Sequence, residues 1–122
     1  MQRRRYVRID LFIPIQVVLN MADDELTVNA KTLDISGGGI RFYSRQEFQV
    51  DDLLILTLPF ESGEVVTVNA KVVLSRESNK DGIDGGYYTT AASFYDLSER
   101  QESLIVSECF QHELKLRRDG KI

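Results

Sequence analysis

Hydrophobic and polar residues alternate along most of this chain at a period of two, the spacing of strands with one buried face. From Asp10 to Asn20 the sequence DLFIPIQVVLN sets Ile13, Ile15, Val17 and Leu19 on one face and Phe12, Pro14, Gln16 and Val18 on the other. Pro14 has no amide to donate, which places it at an edge or a bend of that strand. The polar stretch Met21–Glu25 reads as a hairpin connection to a second run, Leu26 to Ile35, in which Leu26, Val28, Ala30 and Thr32 share a face. Gly37-Gly38-Gly39 makes a turn, and alternation restarts at once in Ile40–Ser44. Residues 45–52 are polar and acidic and read as a loop. Leu53 to Phe60 is almost wholly apolar, which predicts a strand buried over most of its length. Glu61-Ser62-Gly63-Glu64 is a four-residue hairpin turn. Beyond it Val66, Val68, Ala70, Val72 and Leu74 line one side of a fifth strand. Residues 75–86 read as a long mobile turn, and Tyr87 to Tyr95 as a sixth strand.

The period changes after Asp96-Leu97-Ser98. Ser98 is an N-cap candidate, and Gln101 three residues later completes a capping-box pattern. Leu104, Ile105, Cys109, His112 and Leu116 fall near helical spacing, so the helix predicted over 98–117 lays one face on the sheet. Cations and Gly120 end it, as helix C-termini prefer. Six short strands joined by hairpin-length loops, followed by one helix, predict a mainly β fold: a small six-stranded antiparallel barrel partly plugged by a C-terminal α-helix. The whole chain, 1–122, reads as one domain, with an extended basic arm over 1–9 and the barrel over 10–96.

Composition narrows the function. The formal net charge is −4, yet residues 1–8 hold four Arg and no acid, which leaves the rest of the chain with 11 Lys/Arg against 19 Asp/Glu. An acidic body repels a phosphodiester polymer, so nucleic acid is not the expected partner. A local arginine cluster on such a body suits a small anion. The lone Cys109 excludes an intrachain disulfide, and with His112 as the one histidine a His/Cys zinc site is not expected. No apolar run reaches the length of a membrane span, and no signal-peptide pattern follows the basic start, so membrane insertion is not expected and a cytoplasmic location is.

Two stretches carry candidate chemistry. Arg3-Arg4-Arg5-Tyr6-Val7-Arg8 puts four guanidinium groups into six residues. In an extended arm Arg4 and Arg8 point to the same side, roughly 13 Å apart, and converge if the arm turns. Guanidinium forks pair bidentately with phosphate oxygens and with the O6/N7 edge of guanine. Asp34-Ile35-Ser36-Gly37-Gly38-Gly39 supplies the complement. Asp34 can accept from guanine N1–H and N2–H, Ser36 stands on the same face, and Gly37 to Gly39 permit positive φ, close backbone approach and free amides. Taken singly, a terminal arginine run is ordinarily solvated, and Asp-x-Ser before glycines is ordinarily a turn. Both together, in this order on a six-strand pattern, describe a site for a compact anionic nucleotide.

The pair Arg4-x-x-x-Arg8 and Asp34-x-Ser36-x-x-Gly39 resembles the signature of PilZ domains, bacterial receptors for cyclic di-GMP. The similarity covers nearly the whole chain, including the Ala-Ser-Phe-Tyr-Asp-Leu-Ser approach to the helix. It implies a barrel whose N-terminal arm wraps over the ligand, with Arg4 and Arg8 on guanine and phosphates. It also implies that Asp34 and Ser36 read a guanine edge while Gly37, Gly38 and Gly39 form the turn, Gly39 keeping it tight. Arg3 resembles members that bind an intercalated pair of ligand molecules. The stretch CFQHELKLRR resembles the flagellar-brake (YcgR-like) branch, where a second β-domain precedes this one, so the chain is either a cut-out domain or a stand-alone homologue. Where the family often carries a Gly in the last strand, this chain has Ala91-Ala92-Ser93-Phe94. The resemblance implies a monomeric or homodimeric switch that regulates a protein partner, such as the flagellar motor or a secretion machinery, with no catalysis and no cofactor beyond the ligand.

Three rival classes are weaker. A PilZ-like interaction module without ligand usually lacks the arginines. An RNA or DNA binder using the arm with Tyr6, Phe42 and Tyr43 conflicts with the acidic body. An enzyme needs an activated nucleophile or metal: Cys109 and His112 read as packing residues, and Asp23-Asp24-Glu25 and Asp51-Asp52 lack the spacing of a calcium loop.

Overall fold

The structure is a computed structural model and describes residues 8–78 and 86–120. Its elements in chain order are β1 (Ile9–Asp10), β2 (Pro14–Asn20), β3 (Glu25–Ile35), β4 (Gly39–Ser44), β5 (Leu53–Pro59), β6 (Val65–Glu77), β7 (Tyr88–Tyr95) and α1 (Glu99–Arg118). All pairings are antiparallel. The sheet runs β1-β3-β2-β5-β6-β7-β4, and β4 returns to β3, closing a six-stranded barrel to which short β1 is added. Closure leaves the barrel strands without a free edge.

The inward face is the one the alternation marks. Ile15, Val17, Leu54, Leu56, Leu58, Val66, Val68, Ala70 and Val72 are all buried in one core. The strand expected over 10–20 is interrupted. Asp10 pairs with Asp34 and Pro14 with Lys31, so Leu11–Ile13 stand opposite only Thr32 and Leu33. Thr32 fills the break: its Oγ1 accepts from the Ile13 amide at 2.9 Å and donates to the Leu11 carbonyl. Pro14, with no amide to give, opens the second half of the strand. Phe12 is turned out to solvent at 72% exposure.

Three expectations are corrected. β5 is not buried along its length: Leu54, Leu56 and Leu58 face the core while Leu53 is 53% exposed, as in a strand with one wet side. Leu74 does not join the inward row. Val72 pairs with Ala92 and Leu74 with Ala91, so Val73 is an extra, bulged residue, and Val73 and Leu74 are both exposed. Ser75–Glu77, expected in the turn, extend β6 against Tyr88–Thr90, with Ser75 Oγ 3.0 Å from Thr90 Oγ1. Of the rest of that turn, 79–85 lie outside the described residues. The polar loop 45–52 also gives one side chain to the core: Phe48 is buried edge-on to Phe42, with ring centroids 6.0 Å apart.

The helix starts where its cap dictates. Ser98 Oγ accepts from the Gln101 amide at 3.0 Å, and Gln101 Oε1 accepts from the Ser98 amide at 2.7 Å. Gln101 Nε2 also donates to the Thr67 carbonyl, fixing the first turn on β6. Ile105 and Cys109 enter the core, and full burial of a side chain such as Ile105 contributes roughly 1.5–3 kcal/mol. Glu108, buried beside them, accepts from the Glu61 amide at 3.1 Å and ties the helix to the β5–β6 turn.

Candidate functional site

The site is built at the end of β3, where the chain turns into β4. Ser36 donates its amide to the Gly39 carbonyl at 2.9 Å, so Gly37 and Gly38 make a two-residue turn. Ser36 Oγ accepts from the Gly38 amide at 3.2 Å, and the Gly38 carbonyl accepts from Phe94 of β7 at 3.1 Å. The Ser36 hydroxyl is thus part of the turn. None of Gly37, Gly38 and Gly39 uses the positive φ that glycine permits; among the described glycines that conformation belongs to Gly63, Gly86 and Gly120. Gly39 is needed for room. A Cβ there would lie 2.7 Å from the Ala92 carbonyl oxygen, so only glycine lets β4 approach β7 this closely.

Asp34 follows a bulge. Thr32 pairs with Phe42 and Asp34 with Arg41, which leaves Leu33 as the extra residue; Ile35, opposite Ile40, enters the core, and Asp34, opposite Arg41, is also buried. Asp34 is 2% exposed, a costly position for a carboxylate unless it is paired. Two guanidiniums pair it. Arg8 Nη1 bonds Oδ1 across 26 residues of sequence, and Arg41 bonds Oδ2 through Nη2 and through Nε at 2.8 Å. The hydrogen bond to Asp34, followed by its charge, holds the Arg41 guanidinium above its ordinary pKa against the opposing effect of burial. Both arginines keep contact with water, their side chains being 35% and 51% exposed.

Arg8, Ser36, Gly38 and Gly39 line one open cavity of about 540 Å³ together with Arg41, Val73 and the β7 segment Ala91–Ser93. Asp34 does not itself line the cavity; it is bonded to two residues that do, Arg8 and Arg41. Two other grooves have a similar volume, about 570 Å³ each, one beside Tyr43 and Tyr87 and one between α1 and the β5–β6 turn; the motif residues gather in neither. Arg3 and Arg4, candidates from the sequence, lie outside the described residues. Arg41 and Val73 were not candidates, yet both face the cavity. Arg41 had a signal: counting back across a two-residue Gly37-Gly38 turn pairs it with Asp34. Alternation does put Val73 on the outer face, but nothing in the sequence sets it beside the Gly37–Gly39 turn; the pairing of β6 with β7 and of β7 with β4 does that.

The Cys109 thiol donates to the Ile35 carbonyl, at 3.8 Å, directly behind the site. Burial, with the Glu108 charge adding, raises its pKa to about 11, so it is a neutral packing group at physiological pH. Among the described residues no cluster of His, Cys, Asp and Glu is arranged to hold a metal ion, and no helix is long and apolar enough to cross a membrane.

Solved structures share this architecture. The PilZ domain of YcgR from Escherichia coli, determined with c-di-GMP, superposes with a TM-score of 0.72 at 18% identity, over 99% of this chain and 100% of that one. YcgR from Escherichia coli in complex with c-di-GMP gives 0.76 at 22% identity, over 98% of this chain and 50% of that one. The Bacillus subtilis inhibitor of motility gives 0.70 at 23% identity, over 96% and 54%. The chain therefore spans about half the length of the latter two. These likenesses establish a common fold. No curated protein matches the sequence. The model of the PilZ domain matches residues 2–111, nearly all of this sequence, and the chain belongs to the PilZ domain family.

Proposed function

We propose that this chain is a receptor domain for cyclic di-GMP, a signalling module with no catalytic role. The observation that carries the proposal is the meeting of the two motif halves. Arg8, from the first motif, is ion-paired to Asp34 and lines a cavity together with Ser36, Gly38 and Gly39 from the second. The ligand's chemistry fits this set: phosphates for the guanidiniums of Arg8 and the arm residues Arg3 and Arg4, a guanine edge for Asp34, and turn backbone at Gly37–Gly39 for close approach. Structures of similar fold that were solved with c-di-GMP support the same reading.

Ligand binding closes the basic arm over the cavity, and the altered surface engages a protein partner. The flagellar motor or a secretion machinery is the class of partner proposed, in keeping with the motility role in the name of the Bacillus subtilis structure. The test is titration calorimetry of the chain with cyclic di-GMP, using GTP and cyclic AMP as controls. Wild type is expected to bind cyclic di-GMP alone, at two molecules per chain if Arg3 takes part. Asp34→Ala is expected to abolish binding with the circular dichroism spectrum unchanged, because Arg8 and Arg41 are exposed enough to be hydrated once released. Undiminished affinity in Asp34→Ala refutes the assignment.

A further inference from the structure

Asp34 has little capacity left for a new partner. A carboxylate offers about four acceptor sites. Arg41 uses two on Oδ2, through Nε and Nη2, and Arg8 uses one on Oδ1. The Watson–Crick edge of guanine brings two adjacent donors, N1–H and N2–H, in a planar fork. The Nε–H and Nη2–H of an arginine side chain form a planar fork of the same kind. Arg41 therefore presents to this carboxylate, on Oδ2 alone, the kind of donor fork that a guanine edge would bring to both of its oxygens.

We infer that Arg41 is an intramolecular competitor for the guanine-reading carboxylate, a side-chain stand-in for guanine that occupies Asp34 until ligand displaces it. This rests on the proposed role of Asp34. Exposure favours Arg41 over Arg8 as the group that leaves: its side chain is the more exposed of the two and can swing into water without opening the core. It stands directly opposite Asp34 in the β3–β4 pairing, so once released it stays within reach and returns when the site empties. Like Arg8, it lines the cavity, where an incoming base would meet it.

The Asp34 contact raises the Arg41 pKa above its ordinary value, so Arg41 is cationic at physiological pH and competes as a charged fork. A ligand must bring its own fork. Adenine presents no such adjacent pair of donors on its Watson–Crick edge, so cyclic di-AMP leaves the Asp34–Arg41 pair in place. An internal competitor lowers apparent affinity by the fraction of molecules in which the site is open, and it does so through association rather than dissociation.

The test uses the full chain in calorimetry and stopped-flow binding with cyclic di-GMP, comparing wild type with Arg41→Lys. Lysine keeps the charge and removes the fork, so long-range attraction to the ligand phosphates is preserved. Arg41→Lys is expected to bind at least about threefold more tightly, with the gain in the association rate and the dissociation rate within about twofold of wild type. Unchanged or weaker binding, or a gain confined to slower dissociation, overturns the inference and makes Arg41 a spectator or a ligand contact. Thermal unfolding of the variant is measured alongside, so that weaker binding is not mistaken for a lost fold. If wild type itself takes up no cyclic di-GMP, the proposed function fails, and the competition with it; if wild type binds and only the Arg41→Lys gain is missing, the receptor reading stands.

Discussion

Gly39→Ala is the sharpest structural perturbation available at the site. The added Cβ would stand 2.7 Å from the Ala92 carbonyl oxygen, about 0.7 Å inside the 3.4 Å at which ordinary contact begins. The obstacle is backbone of a paired strand, Gly39 opposite Ser93 and Ile40 opposite Ala92, so no side chain can turn aside to make room. β4 must move away from β7, or the ladder must stretch. Overpacking of this kind costs about 1–3 kcal/mol. Alanine also reduces the freedom of the unfolded chain, which offsets roughly 0.4–1 kcal/mol of that. With mid-range values, about 2 less about 0.7, a net loss of roughly 1.3 kcal/mol remains. For a domain of this size it lowers Tm by roughly 3–10 °C. Thermal unfolding followed by circular dichroism measures it, and backbone amide shifts should change most at Ile40, Ala92 and Ser93. An unchanged or higher Tm would refute the reasoning, since it would mean that β4 and β7 have slack and that Gly39 is present for some other reason.

Two further outcomes follow from buried groups. Thr32→Val keeps shape but removes the hydroxyl that bridges the Ile13 amide and the Leu11 carbonyl, leaving a donor and an acceptor unpaired. It is expected to cost about 1–3 kcal/mol, read as a lower urea midpoint with unchanged slope, while Thr32→Ser keeps most of the stability; equal losses in both would show that the methyl matters and the bridge does not. Cys109 has its folded-state pKa raised to about 11 from 9.0, so the folded state holds its proton more firmly than the unfolded one. Its effect on stability is absent below about pH 9 and destabilises increasingly as pH rises from there through 11; Cys109→Ala should flatten that part of the pH–stability curve, and an unchanged curve would count against the thiol as its source.

Much of this molecule was legible because a barrel with one wet face writes its inside and outside into alternate residues. Ile15, Val17, Val66 and Val68 were placed by that rule alone, and the Ser98–Gln101 cap by local spacing. What escaped it were the points where strands gain a residue. At Leu33 and at Val73 the inward row changes phase, and the cause is the pairing with β4 and β7, which are neighbours in space and not in sequence. Phe48 and Glu108 escaped for a related reason. A polar loop and a charged helix position look solvated until Phe42 is found against one and the Glu61 amide against the other. The meeting of Arg8 with Asp34 is likewise a contact over 26 residues, visible in the sequence only through the family's motif spacing.

The bulge at Val73 also separates two kinds of substitution. Val66 to Val72 are held by packing on the core side, and a change at any buried one of them is felt as a cavity or a clash. Val73 touches the cavity without entering the core, as Arg41 does across from it. A new side chain at Val73 alters the shape and charge of the pocket while the barrel beneath keeps its residues and its register. Ligand choice can therefore drift by single steps at that position which leave the folding of the domain almost untouched, and a library randomised at 73 should yield many folded proteins that differ in what they bind.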